Sequence, residues 1–178
     1  MTILTQSIHK DAVMALLQAV PDPEIPVVSI AELGILRDVR IAGEHVEVVI
    51  TPTYSGCPAM QAIQQDICSV LKQAGIAQVT VSTALSPAWS SDWITPAGRD
   101  KLRAYGIAPP QPAQHGGIQD SRQPLRFMRM PAPADALPAC PQCGSRHTEL
   151  LSEFGSTSCK ALYRCTACRE PFDYFKPY

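Results

Sequence analysis

An excess of one charge is missing from this sequence: 15 Lys and Arg stand against 16 Asp and Glu, for a formal net charge of −1. Proteins that hold nucleic acid by charge carry a basic excess, so general binding of that kind is excluded. Long apolar runs are missing as well, and none approaches the roughly 20 residues that a membrane-spanning helix needs. Residues 1–10 carry no charged stretch followed by an apolar run, so the pattern of a secretory signal is absent and the expected location is the cytoplasm. What is present is a hydrophobic fraction of 46% in 178 residues, ordinary for a folded chain with room for one normal domain and a small one. Seven cysteines and 17 prolines stand out, and both are unevenly placed.

In chain order, apolar residues from Ile8 to Val20 fall on one helical face, and Pro21 ends that helix. Three prolines in the six residues 21–26 preclude a continuous helix there and favour a stiff extended loop carrying Asp22 and Glu24. On local grounds Asp22 is a turn or cap residue, the usual role of Asp beside Pro. Residues 28–33 suggest a helical turn with Ser29 and Glu32 as a capping box and Gly34 as its stop. An antiparallel hairpin is predicted from 35–41 and 44–51 around Ala42-Gly43, followed by a helix over 58–74 and a third strand over 78–85. Trp89 and Trp93 are expected to cover the core, and Thr95-Pro96 to cap a helix that ends before Gly106.

Seven of the 17 prolines lie between Pro109 and Pro138, which marks a linker. Within it, 125–130 reads as a basic stretch or a short strand, and His115 as a linker histidine. Beyond it, Cys140 and Cys143 form one C-x-x-C pair and Cys165 and Cys168 another. Each pair can present two sulfurs to one metal, and two such turns complete a tetrahedral four-thiolate site in a zinc ribbon. Zinc is favoured because a closed site needs no redox chemistry, although four thiolates also suit rubredoxin-like iron. Cys159 is surplus, open to a structural role near the site, substitute ligation or redox pairing.

The expected fold class is therefore α+β: a helix-strand-strand-helix-strand domain with a C-terminal zinc ribbon. Its parts are a first domain over 1–108, a proline-rich linker over 109–137 and the ribbon over 138–178.

The chain is organised around residues 51–60, where a strand pattern gives way to a helix pattern at Cys57. Pro58 suits the first helical position, which places Cys57 at the N-cap. There the helix dipole and free N–H groups would favour a thiolate. The alternative is a small buried hydrophobe, since free cysteine is among the most buried residue types.

The run Asp22-Pro23-Glu24-Ile25-Pro26, with Glu32-Leu33-Gly34, Thr51-Pro52-Thr53 and Gly56-Cys57-Pro58, resembles the small domain of SufT and the cytosolic iron-sulfur targeting factors. Trp89-Ser90-Ser91-Asp92-Trp93, Glu153-Phe154-Gly155-Ser156-Thr157, the run from Cys159 to Cys165 and the run from Glu170 to Lys176 resemble the PaaD (PaaJ) family. That family serves the phenylacetyl-CoA epoxidase system of bacterial phenylacetate degradation. The resemblance implies a cytoplasmic maturation or assembly factor without enzymatic activity, with Cys57 as the functional cysteine and Asp22 and Glu24 as an acidic signature loop. It implies structural zinc, a transient iron-sulfur cluster as cargo, and epoxidase components as partners, foremost the iron-sulfur reductase. A homodimer is a second partnership to test. Two other classes compete: an integral structural subunit of the oxygenase complex, and an enzyme with Cys57 as nucleophile. The last needs a positioned base, and His45 is the nearest histidine in sequence.

Overall fold

In the computed structural model, residues 8–54, 56–111 and 137–178 are described. Ser55 and most of the proline-rich stretch, including His115 and the 125–130 segment, lie outside them. The chain divides into two compact units, residues 1–105 together with Tyr178, and residues 106–177.

The first unit is built on a sheet of three strands, β1 (Leu36–Ala42), β2 (His45–Ile50) and β3 (Gln78–Thr83), in the order β1-β2-β3. β1 and β2 form the expected antiparallel hairpin, turning through Gly43 at a positive φ of 62°. β2 and β3 run parallel, joined by helix α2 (Met60–Gln73). α2 buries Ile63, Ile67 and Leu71, a four-residue spacing that puts all three on one face. Helix α1 (Lys10–Gln18) buries Val13 and Leu17, contacts β1 and packs on α2, so both helices cover one sheet face. Val39, Val46, Val48 and Ile50 are buried beneath them. The other face is solvated and polar. There Arg40 reaches Glu47 at 3.3 Å, Ser82 donates to Glu47 at 2.8 Å, and His45 meets Thr80 at 2.8 Å.

Between α1 and β1, the Ser29 and Glu32 capping box forms in both directions at 2.9 and 3.1 Å, and residues 28–33 make the single turn that the sequence suggests, with the Leu33 N–H on the Ser29 carbonyl at 3.0 Å. Gly34 closes this turn at a φ of 70°, and a Cβ there would stand 2.6 Å from Trp93 Cβ, so only glycine fits. Trp89 is buried and donates its indole N–H to the Leu33 carbonyl at 3.0 Å. Trp93 is half-buried with the Arg37 guanidinium 3.5 Å above its ring. Helix α3 (Pro96–Ala104) starts as its sequence suggests: Thr95 is the N-cap, accepting the Gly98 N–H at 3.0 Å, and proline opens the first turn.

The second unit holds a four-stranded sheet in the order β4-β7-β6-β5, formed by β4 (Ile107–Ala108), β5 (Thr148–Ser152), β6 (Lys160–Cys165) and β7 (Pro171–Phe175). β5, β6 and β7 are antiparallel neighbours, and β4 lies parallel to β7. Ile107 and Ala108, placed by sequence with the first domain, thus pair within the ribbon sheet. A small core gathers Ala108, Cys140, Cys165, Phe172 and Tyr174, with Tyr163 packed against it. The fold is thus mixed α and β with a cysteine-bearing C-terminal sheet.

Candidate functional site

Two places in the molecule carry chemistry, one in each unit. In the second, Cys140 and Cys143 sit on a turn closed by the Gly144 N–H donating to the Cys140 carbonyl at 2.9 Å. Cys165 and Cys168 sit on a like turn in which the Cys168 N–H points at Cys165 Sγ from 3.5 Å. The residue after each pair is left-handed, Gly144 at a φ of 72° and Arg169 at 69°. The four sulfurs lie within 4.8 Å of one another, with Cys140 to Cys168 at 3.7 Å and Cys143 to Cys165 at 3.6 Å. A zinc–sulfur bond of about 2.3 Å gives a tetrahedron whose edge is about 3.8 Å; two of the six sulfur–sulfur edges match it and all lie within 4.8 Å, so the donor set fits a four-coordinate soft metal. The backbone N–H of Cys168 is the main cause that draws the Cys165 thiol down to about 6, against the opposing effect of burial. Burial is the main cause that pushes the Cys140 thiol up. Cys159 stands outside this group; it is buried, with its sulfur 3.0 Å from Thr157 Oγ1.

The first unit carries Cys57 in the connection from β2 to α2. Here the structure corrects the expected helix start. α2 begins at Met60 with Ala59 as N-cap, so Cys57 precedes the cap by two residues and Pro58 is not the first helical residue. The reason is local: the Cys57 N–H donates to the Tyr54 carbonyl at 3.2 Å, which makes a separate turn, and the α-helical ladder opens only with the Ile63 N–H on the Ala59 carbonyl at 2.9 Å. A dipole effect confined to the first turn therefore no longer serves as the reason for a reactive Cys57. The side chain is half-buried.

The same connection borders an apolar cavity of about 390 Å³, walled by residues 51–54, Leu85, Ala88, Trp89 and Tyr178. No charged side chain lines it, and Tyr178 packs edge-on against Trp89 with ring centroids 6.2 Å apart. Sequence reasoning named Thr51 to Tyr54 and Trp89 separately and missed that they share one wall.

Asp22 is 5% exposed, and its Oδ1 accepts the N–H groups of Glu24 at 2.9 Å and Ile25 at 2.8 Å. That is the turn role that local sequence suggests for it. Glu24 is half-buried in the same loop. His45 is engaged with Thr80 at the start of β2, a strand about 16 Å long, whereas Cys57 lies in the connection that follows the other end of that strand. The histidine nearest in sequence is therefore not placed as a base for the thiol.

Residues that sequence reasoning missed include Lys160, 4% exposed, whose ammonium lies 3.7 Å from Asp173. Gly155 packs close to that pair: a Cβ on it would stand 2.7 Å from Asp173 Oδ1, so a larger residue there would shift the Asp173 carboxylate. A lysine in an alternating strand pattern gives no sign of burial.

With this geometry in place, comparison with known proteins is decisive. A candidate 1,2-phenylacetyl-CoA epoxidase subunit from Escherichia coli (strain K12) is 46% identical over 175 residues, covering 98% of this chain and 96% of the relative. The chain belongs to the PaaD family. Residues 130–176 match the PaaD zinc beta ribbon domain and contain all four clustered cysteines. Residues 10–83 match the iron-sulfur cluster assembly protein family, a span that runs from α1 to β3 and includes Asp22, Glu24 and Cys57. An Fe-S protein maturation auxiliary factor of Porphyromonas gingivalis (strain ATCC BAA-308 / W83) is 30% identical over 88 residues, 48% of the PaaD-family chain and 83% of the relative. Among solved structures, a domain of unknown function DUF59 from Bacillus anthracis is 28% identical with a TM-score of 0.49, over 52% of this chain and 90% of that one. Among the described residues of this PaaD-family protein, no helix is long and apolar enough to cross a membrane.

Proposed function

We propose that this chain is an iron-sulfur cluster maturation or assembly factor for the phenylacetyl-CoA epoxidase system, acting on its iron-sulfur reductase component, and not itself an enzyme. The observation that carries the reading is the pairing, in one PaaD-family chain, of an iron-sulfur assembly module over 10–83 with a zinc ribbon over 130–176. Cys57 is the contact to cluster or client: it lies half-buried in the connection whose residues 51–54 wall an uncharged cavity that can seat an apolar side chain of a partner. The Asp22 and Glu24 loop is assigned to the same client-facing role, with Asp22 holding the loop's shape through the Glu24 and Ile25 N–H groups. Cys140, Cys143, Cys165 and Cys168 hold structural zinc, which stabilises a ribbon whose apolar core is too small to do so alone. Any cluster is cargo, held briefly at Cys57 and passed on.

The test is the iron and acid-labile sulfide content of the reductase purified from cells that contain or lack this chain. The reading expects intact reductase polypeptide without its cluster when the chain is missing. A second reading, an integral structural subunit, draws support from the subunit name of the relative that this chain matches along nearly its whole length. It expects the chain to co-purify at fixed stoichiometry with active epoxidase, and the reductase to be fully loaded without it.

A further inference from the structure

The two edges of the first unit's sheet are built differently. β1 has a register shift between Leu36 and Asp38 and carries Arg37, Asp38 and Arg40, with Lys10 bridged to Asp38 at 2.8 Å. A bulge and charges of this kind are what proteins use to keep an edge from pairing. β3, at the other edge, has an unbroken register against β2 and no charged or proline residue. No residue between Lys72 and Asp92 carries a charge. Val79 and Val81 are only half-buried, and Leu85 just beyond the strand is 65% exposed. Among the described residues β3 has no second neighbour.

The direction of the backbone sharpens this. Ala84 donates its N–H to the Ile50 carbonyl at 2.9 Å, so the even-numbered residues of β3 turn their N–H and C=O toward β2. In a parallel ladder the alternate residues, Val79, Val81 and Thr83, then present theirs outward. These same three residues share the helix-covered face with Val46, Val48 and Ile50, their partners in register.

We propose that β3 pairs antiparallel with β3 of a second copy of this chain, about a two-fold axis that is perpendicular to the sheet and passes midway between the two Val81 residues. A residue-centred axis keeps the helix-covered faces of the two copies on the same side. It sets Val81 opposite Val81 and Val79 opposite Thr83 as hydrogen-bonded pairs, which satisfies every outward group of the strand. Thr80 then faces Ser82 across the axis on the solvated side, at the closer spacing of a non-hydrogen-bonded pair. A two-fold axis brings the edge against itself, so a charge near its centre would meet its own like; β3 has none. The product is one continuous sheet made of two three-stranded halves.

The test uses the full chain. Sedimentation of the native protein should give the mass of two chains. The double variant Thr80→Cys, Ser82→Cys should form a covalent dimer under mild oxidation that reductant reverses, since about 4.5 Å between facing Cα atoms suits a disulfide. Thr80→Lys with Ser82→Lys should give a monomer of unchanged far-ultraviolet circular dichroism, with at least a tenfold rise in the dimer dissociation constant. In the native protein, amide exchange at Val79, Val81 and Thr83 should slow as concentration rises, a readout that survives misfolding of the lysine variant. A monomer at every soluble concentration, a dimer indifferent to both lysines, or exchange at those three amides that is independent of concentration would each overturn the proposal. The last would include amides protected in a monomer, which would place another segment of the same chain on this edge.

Discussion

Lys101 Nζ lies 2.6 Å from Glu32 Oε1, while Oε2 of the same carboxylate accepts the Ser29 N–H at 2.9 Å. One side chain thus closes the capping box of the turn before β1 and ties that turn to α3, whose start is held in addition by the Thr95 N–H on the Glu32 carbonyl at 2.9 Å.

This relationship has a pH signature. Burial alone would raise the Glu32 pKa, but the hydrogen bonds and charge of Lys101 and the Ser29 donors outweigh it and hold the carboxyl below its ordinary value. A group depressed in the fold contributes its full stability above its unfolded pKa, near 4.3, and loses it as pH falls through the folded value. Glu32→Gln keeps the capping box, which glutamine also closes, but loses the Lys101 ion pair, so it should cost about 0.5 kcal/mol at pH 7, and the difference from the native protein should vanish below the depressed pKa. Urea unfolding followed by tryptophan fluorescence reports this, because Trp89 and Trp93 both lie in the first unit.

Gly34→Ala should be far worse than an ordinary glycine substitution. The methyl meets Trp93 Cβ at 2.6 Å, and the backbone is held at a positive φ. A loss of about 2 kcal/mol or more is expected, read by the same fluorescence transition.

Metal removal should act on one unit only. A strong chelator is expected to release one metal ion per chain and to abolish the ordered Tyr163, Phe172 and Tyr174 cluster in near-ultraviolet circular dichroism, leaving the tryptophan transition of the first unit unchanged. Cys165→Ser should lose the metal, whereas Cys159→Ser should keep it at full stoichiometry, since Cys159 lies outside the four-sulfur group. Retention by the first variant or loss from the second, measured by metal analysis of purified protein, would contradict the assignment.

The second knuckle places Arg169 where the first has Gly144. A left-handed non-glycine residue carries strain of order 1 kcal/mol or more, partly offset by the flexibility glycine adds to the unfolded chain. Arg169→Gly should leave metal stoichiometry intact and should stabilise the ribbon by up to about 1 kcal/mol, visible as a higher chelator concentration at half-release.

Features written in short-range sequence code were legible before the structure. Gly43, the Thr95-Pro96 start and the 3.6-residue spacing of Ile63, Ile67 and Leu71 each have one cheap conformation, and the C-x-x-C pairs bring their own turn. Cys57 shows the limit of that code. Pro58 is compatible with a first helical position, but the turn from Tyr54 to Cys57 competes for the same residues and delays the helix to Met60. Residues 28–33 have the caps of a helix without the length to gain from one. β4 was beyond reach because two residues carry no periodicity, and their pairing with β7 is decided by chain segments more than sixty residues apart. The uncharged cavity wall joins residues 51–54 to Trp89 by tertiary packing alone.

The central claim, that Cys57 is the point of exchange with an iron-sulfur client while the four clustered cysteines are structural, is tested most directly by cluster loading in cells. The measurement is iron and labile sulfide per reductase molecule in cells whose chain carries Cys57→Ser, with the variant chain shown to be folded and zinc-loaded. Reductase depleted of its cluster at normal protein level, with zinc in the variant unchanged, is the predicted result. Reductase fully loaded and epoxidase fully active alongside Cys57→Ser would contradict it.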